Sequence, residues 1–321
     1  MRFVLLALLS TTLIYAKTNI EVEDNDLPKT VEEPWLTGPL LTASPHVVPV
    51  GHFNLEPYLF VNNDIGYLNN HWHLQRFSNV SSNINFQFFA QIGLTPWMDM
   101  SIIPQFFYNY KEMESSWRFG DFLMGLDFQL SPGNYKKRIP SVKFTINELF
   151  PTGQYQHLKA SNLGTDSSGG GSFATTFQMV FGHHMHFYSV HFLAARLSAA
   201  AILFSQVSVH GINSYGGDSS TVGRVFPGTA FPVLLGLEYT MTQNWALALD
   251  VASTFTCKSR FKGTTIAPVG TNTWSYSLSF APAIEFNYTV NVGLIAGVWV
   301  TAFGRNTPNF INYVIALNWY I

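Results

Sequence analysis

Apolar and polar residues alternate along most of this chain, in segments of about ten residues separated by Gly-, Pro-, Asn- and Ser-rich punctuation. The last stretch, INYVIALNWYI, shows the pattern at its clearest. Ile311, Tyr313, Ile315, Leu317, Trp319 and Ile321 fall on one phase, and Asn312, Val314, Ala316, Asn318 and Tyr320 on the other. A period of two is the signature of a strand with one fatty face. NINFQFFAQIGL repeats it: Ile84, Phe86, Phe88, Ala90, Ile92 and Leu94 alternate with Asn85, Gln87, Phe89 and Gln91. In a soluble sandwich the fatty face would meet a core. In a transmembrane barrel it would meet lipid, with polar and small residues turned to the lumen.

From His52 onward the same reading yields FNLEPYLFV, NINFQFFAQIGL, MDMSIIPQFFYNY, GDFLMGLDFQL, SVKFTINELF, FATTFQMVFG, the long Phe187 to Val209 segment, AFPVLLGLEYT, NWALALDVASTF, WSYSLSFAPAIEFNY, VGLIAGVWVTAF and NFINYVIALNWYI. Short turns (TPW, GHHMH, TMTQN, TVN) alternate with longer connections such as KEMESSWRF, PTGQYQHLKASNLGTDSSGGGS, HGINSYGGDSSTVGRVFPG and KSRFKGTTIAPVGTNT. Short turns on one rim and long loops on the other, with an even strand number of about twelve, predict an all-β, transmembrane, antiparallel up-and-down β-barrel with both termini on the periplasmic side. Phe187 to Val209 exceeds one span and calls for an extension, a bulge or a different division. A membrane helix there is disfavoured by His191 and Arg196, since an Arg near the centre of a span costs about 3 kcal/mol.

Composition sharpens the choice. Hydrophobic residues make up 47% of the 321-residue chain and charged residues only 11%, against about a quarter in ordinary soluble domains. A soluble sandwich would need charged outer faces that are absent here. In hydrocarbon every backbone donor and acceptor must be paired within the protein, so the sheet has to close. Trp97, Tyr108, Tyr110, Trp117, Tyr239, Trp245, Trp274, Tyr288 and Trp319 lie near strand ends, where aromatic girdles form at membrane interfaces.

Ahead of the barrel, residues 1–16 (MRFVLLALLSTTLIYA) read as a secretory signal peptide. Residues 17–51 form an acidic, then Pro- and Gly-punctuated periplasmic segment, of which WLTGPLLTASPHVVPVGH is expected to lead the chain in rather than to pack into the barrel mouth. The barrel is assigned to residues 52–321. A lone cysteine, Cys257, leaves no internal disulfide and no paired-Cys metal motif. The net charge of −2 provides no footprint for nucleic acid.

At SVKFTINELFPTGQY, SFAPAIEFNYTVNVGLIAGVW and FGRNTPNFINYVIALNWYI, and also at GHFNLEPYLF and GDFLMGLDF, the chain resembles a family of bacterial outer-membrane barrels named after the meta-cleavage pathway of phenol degradation. The likeness spans about His52 to Ile321 and its motifs are structural: a Pro-Thr-Gly strand exit, an Ala-Ile-Glu strand and a Gly-Arg-Asn loop. It implies transport of small solutes, aromatic ones among them, and brings no catalytic set. A final Ile321, where such barrels commonly end in an aromatic residue, is a departure that bears on recognition by the barrel-assembly machinery. Lipid, lipopolysaccharide, that machinery and a small solute are the partners expected in a bacterial outer membrane; no cofactor is implied.

With the fatty phase outward, the inward phase carries Glu56, Asp99, Asp121, Asp127, Glu238, Asp250 and Glu285, and the cations Lys143 and Arg196. An acidic lumen of this kind suggests either a filter favouring cations and neutral solutes or packing that fills a narrow barrel. GHHMH, with His183, His184 and His186, reads as a solvated turn, as does NHWH with His71 and His73. GTDSSGGGS lacks the Lys and following helix of a phosphate cradle and reads as a mobile, exposed loop. Ser and His are plentiful, but no Gly-x-Ser-x-Gly elbow supports a membrane-embedded hydrolase. A surface-interaction barrel with a filled lumen is the alternative to a channel.

Overall fold

The computed structural model describes residues 35–321 except 135–136 and 271, so the expected signal peptide and the acidic run lie outside the described residues. In chain order the strands are β1 (Phe53–Leu68), β2 (Leu74–Thr95), β3 (Met98–Ile103), β4 (Gln105–Lys111), β5 (Glu114–Phe119), β6 (Phe122–Ser131), β7 (Ser141–Phe150), β8 (Ala174–Tyr188), β9 (His191–Phe204), β10 (Val207–His210), β11 (Val222–Phe226), β12 (Ala230–Thr240), β13 (Trp245–Thr256), β14 (Arg260–Thr264), β15 (Ser275–Thr289), β16 (Val292–Arg305) and β17 (Thr307–Tyr320). Fourteen of them form one sheet, which closes because β1 pairs with β17 on one side and β2 on the other. Pro104, which has no N–H to give, divides one wall strand into β3 and β4. Opposite it, Gly120 and Asp121 divide another into β5 and β6. Counting each divided pair once leaves a closed antiparallel barrel of 12 strands.

The inside-outside alternation follows the sequence pattern. Along β17, Tyr313, Ile315, Leu317 and Trp319 are exposed on the outer wall while Asn312, Val314, Ala316 and Asn318 are buried inside. Along β12, Phe231, Val233, Leu235 and Tyr239 point outward between Leu234, Glu238 and Thr240. An outer surface of this composition is stable only against acyl chains. The exposed rings of Trp97, Trp245, Tyr288 and Trp319 sit at the short-turn rim, and those of Tyr110, Trp117 and Trp274 at the other.

Four boundaries differ from the sequence reading. GHHMH is strand: β8 keeps its outward phase through Met185 and Phe187, and the turn comes at Ser189–Val190, with Ser189 left-handed at φ 48°. Phe187 to Val209 is three elements, the end of β8, then β9, then β10, so no helix forms there. KEMESSWRF is the β4–β5 hairpin, turning at Glu112 and Met113. The two connections after β9 and β13 contribute β10, β11 and β14 to a three-stranded sheet above the long-loop rim. Local alternation runs through these stretches, and His, Glu and Ser there continue a ladder past the membrane rather than turn it.

Asp218 fastens that outer sheet. Its carboxylate accepts from Ser220 N at 2.8 Å, Ala267 N at 2.9 Å and Ile266 N at 3.2 Å, joining the loop around β11 to the loop after β14. These bonds, that to the Ser220 hydroxyl foremost, hold its pKa below the usual carboxylate range. The tie is therefore complete above the ordinary carboxylate pKa and lost only as pH falls through the depressed one. Asp218→Ala is expected to speed hydrogen exchange at Ile266 and Ala267 near neutral pH while barrel amides stay protected; unchanged exchange at both would show that the carboxylate does not hold the loops together.

The Gly-Arg-Asn loop has an equally local explanation. Asn306 makes the β16–β17 turn in a left-handed conformation (φ 50°), which Asn tolerates, and its amide donates to Thr273 Oγ1 at 2.7 Å. Arg305 donates to Asn70 O at 3.0 Å and Trp274 O at 3.1 Å and lies 3.9 Å over the Trp274 ring. Three connections of the long-loop rim are thereby joined.

Candidate functional site

Residues 35–50 cross the inside of the barrel near the short-turn rim, with Leu36, Leu40, Leu41, Ala43, Val47 and Val48 all buried. The sequence reading made this segment a lead-in; the structure makes it a plug. Pro39, Pro45 and Pro49 keep it out of any ladder, so its remaining N–H groups need other acceptors. The wall supplies them as side chains. Thr37 N donates to Glu285 Oε2 at 3.0 Å. Leu41 N and Thr42 N donate to the two oxygens of Asp250, both at 3.0 Å, and the Thr42 hydroxyl adds a third bond. Val47 N reaches Gln129 Oε1 at 2.9 Å, and Val48 N reaches Asp99 Oδ2 at 2.7 Å.

Shape matches chemistry. A Cβ on Gly236 would stand 2.7 Å from Pro39 and 2.8 Å from Thr42; one on Gly182 would stand 2.3 Å from Pro45, and one on Gly293 2.1 Å from the Thr37 hydroxyl. These wall glycines are notches that let the plug lie against the strands.

Glu56, Asp99, Asp121, Asp127, Lys143, Arg196, Glu238, Asp250 and Glu285 are each buried. Asp99, Asp250 and Glu285 accept from the plug backbone. Glu238 pairs with Arg196 at 2.7 Å. Lys143 pairs with Asp127 at 3.0 Å, and Asp127 accepts from Gln91 at 3.0 Å and from the Thr145 hydroxyl. Glu56 is held within the wall by Asn54, Tyr58 and Asn318 at 2.8, 2.8 and 2.7 Å. Asp121 lies higher, where it accepts from Gly153 N and Gly170 N, both at 2.9 Å.

Those last two bonds belong to a second inward element. The Gly/Ser-rich connection after β7, read from sequence as a mobile exposed loop, folds into the long-loop mouth and buries Thr165, Asp166, Ser167 and Ser168. Asn109 donates to Thr165 O at 2.7 Å and Ser167 O at 2.8 Å, and Tyr215 Oη donates to Gly170 O at 2.7 Å. Glycine is needed for contact as much as for flexibility: a Cβ on Gly169 would stand 2.4 Å from Asp121.

Beneath the cap lies a chamber. Its wall carries Asn312, Asn62, Asn83 and Asn109, which are direct register partners across β17, β1, β2 and β4 and form a continuous belt of amides. Phe60, Phe107, Phe204, Tyr215 and Trp299 add aromatic surface, and Trp299 Nε1 donates to Ser279 at 2.8 Å. About 70 Å³ is open to the centre of a water molecule, against roughly 10–15 Å³ for one bound water. A small solute fits.

Among solved structures, the crystal structure of an outer-membrane channel from Pseudomonas putida F1 aligns over 86% of this chain and 97% of its own, with a TM-score of 0.66 at 16% identity. The two share a fold. The beta domain of the Bordetella autotransporter BrkA (TM-score 0.44, 9% identity, 84% of this chain and 98% of that one) and the monoaromatic hydrocarbon channel CymD (0.41, 9%, 85% and 88%) are more distant. No family model matches the sequence, and no curated protein does.

The histidines assemble no metal centre: among the described residues no group of three or more His, Cys, Asp or Glu is placed to hold an ion. His184 is a strand residue, and His186 stacks on Phe192 with its ring 4.3 Å away. The amide belt and the plug are what sequence reasoning missed. Asn recurs on the inward phase of VNND, SNIN, YNYK and FINY, but only the strand register shows that the four side chains meet.

Proposed function

We propose that this chain is a channel of the bacterial outer membrane for small solutes, aromatic ones among them, and that residues 35–50 set its resting conductance. The observation that carries this is the amide- and aromatic-lined chamber beneath the cap inside a lipid-facing barrel. Two features support it: the fold shared with an outer-membrane channel and the sequence resemblance to the phenol-pathway barrels. Solute would move by diffusion, the path opening as the plug leaves its carboxylate acceptors. In this reading Asp99, Asp250 and Glu285 hold the plug, so any part they play in ion selectivity is to be measured with the plug removed.

The test is flux. Deleting residues 35–50 is expected to raise conductance in planar bilayers, and swelling of liposomes in small neutral solutes, at least tenfold over the intact protein. Equal, negligible flux from both would sink the channel reading. It would favour the second one, a surface-interaction barrel with a filled lumen, which the buried cap loop and outer three-stranded sheet support.

A further inference from the structure

The three-stranded sheet above the long-loop rim has two unlike faces. One carries Val207, Val209 and Val225, buried together with Tyr215 and packed by Tyr155 and Phe261. Tyr215 Oη and Ser214 Oγ donate to Gly170 O and Gly169 O of the cap, at 2.7 and 2.8 Å, so this face looks toward the cap. The opposite face is cationic. Arg224 stands directly across from Lys262 in the β11–β14 register, and Arg260 lies on the diagonal, across from Phe226. All three are exposed, as is Lys258 just before β14. Like charges set opposite one another in a ladder repel, and β10, β11 and β14 contain no Asp or Glu to offset them. Among the described residues none of the four cations makes an ion pair or a side-chain hydrogen bond; Lys262 lies 5.6 Å over the Phe226 ring. Asp218, the one acid in the two connections that carry these strands, already accepts with both oxygens from Ser220, Ile266 and Ala267.

The place of this face in the fold points to what meets it. Two or three residues join β10, β11 and β14 to β9, β12 and β13, which are neighbours in the barrel wall. The outward phase of those wall strands ends in Leu203, Phe231 and Phe255, all exposed on the lipid side. Three to seven residues separate the cations from Phe231 and Phe255; at about 3.3 Å per residue that is roughly 10–23 Å of chain, past the acyl chains and into a headgroup layer. Solute does not call for them, because Asp64 and Asp121 line the chamber and no Lys, Arg or His does.

We propose that the face of β11 and β14 turned away from the cap is a binding site for the phosphate groups of lipopolysaccharide, held by Arg224, Arg260 and Lys262 with Lys258 beside them. Guanidinium groups match phosphate oxygens in pairs, and an ammonium adds a movable point charge. Bound phosphates would also relieve the repulsion between Arg224 and Lys262. The proposal rests on the outer-membrane part of the reading above, and on nothing that passes through the barrel.

Full-length protein in detergent is titrated with rough-type lipopolysaccharide, with the same material dephosphorylated by hydrogen fluoride, and with phosphatidylglycerol, and affinity is read by thermophoresis. EDTA is present throughout, to strip divalent cations that would neutralise the phosphates. Arg224→Ser/Arg260→Ser/Lys262→Ser is the test variant, and Lys137→Ser/Arg138→Ser, exposed on the short-turn rim, is the control; heat-modifiable migration on gels checks that both fold. Wild type and control are expected to bind lipopolysaccharide alike and the test variant at least tenfold more weakly, with dephosphorylated material and phosphatidylglycerol at least tenfold weaker on the wild type. Equal affinity of test variant and wild type, undiminished binding of dephosphorylated material, or phosphatidylglycerol bound as tightly as lipopolysaccharide would overturn the proposal. Polyglutamate displacing lipopolysaccharide as well as phosphate-bearing competitors do would overturn it too, in favour of an acidic protein partner. If the test variant does not fold, the comparison of intact with dephosphorylated material on the wild type decides alone. Cell fractionation keeps the two readings apart: protein in the outer membrane without this affinity removes the site alone, whereas the affinity in a protein that fractionates elsewhere leaves the site standing and removes the outer-membrane reading.

Discussion

Asp250→Ala is expected to turn the barrel from nearly closed to leaky. One carboxylate receives Leu41 N, Thr42 N and the Thr42 hydroxyl, the largest number of plug bonds to any wall side chain among the described residues. Hydrogen bonds to a charged group contribute about 1.5–3 kcal/mol each, and alanine leaves the plug donors buried with nothing to bond. Even a net loss of about 3 kcal/mol moves the balance between seated and released plug by roughly 150-fold. Single-channel recordings should show frequent openings that the wild type lacks, and a protease added from the short-turn side should cut within residues 35–51. The barrel itself should stay folded, since Asp250 has ladder partners on both sides that depend only on backbone. Asp218→Ala, at the opposite rim, is the control and should leave conductance unchanged. A quiet Asp250→Ala channel with a protease-resistant plug would show that the glycine notches and apolar contacts hold the segment without the carboxylate.

The second large effect is on stability. Arg196→Leu removes the cation that faces Glu238 at 2.7 Å, with both side chains at 1% exposure or less. Breaking a buried pair by taking one partner costs about 3–5 kcal/mol, because the other charge stays buried without compensation. Arg196→Leu/Glu238→Leu removes that charge too, and should recover part of the loss. Urea unfolding from lipid vesicles is expected to rank wild type above the double variant and the double variant above Arg196→Leu. A cost below about 1 kcal/mol for the single change is the behaviour of a surface pair and would contradict this account.

The wall of the barrel was legible because period-two alternation and closure are dictated locally and by the solvent. Strand phase sets Glu56, Asp99, Asp121, Asp127, Lys143, Arg196, Glu238, Asp250 and Glu285 opposite the fatty phase. What those residues do there was not legible, because each contact is long-range: Thr37 to Glu285 spans 248 positions and Leu41 to Asp250 spans 209. A Pro-punctuated segment gives no periodicity from which to predict a partner. Its one local signal is unpaired backbone N–H groups, and the matching signal in the wall is buried acids without enough cations. Those two surpluses answer each other, and neither is conspicuous alone. The inward cap failed to show for a similar reason: GTDSSGGGS has the composition of a solvated loop, and only Asp121 and Asn109, far off in sequence, draw it in.

The notches at Gly182, Gly236 and Gly293 have a consequence for protein engineering. Leader and wall are cut to one another, much as a key is to the wards of its lock, so neither can be exchanged by itself. A chimera that grafts a foreign leader ahead of Phe53 would meet recesses shaped for Pro45, Pro39 and Thr37, and filling those recesses with alanine would leave the native leader with nowhere to lie. Anyone transplanting this gate into another barrel would have to carry the three glycines with it.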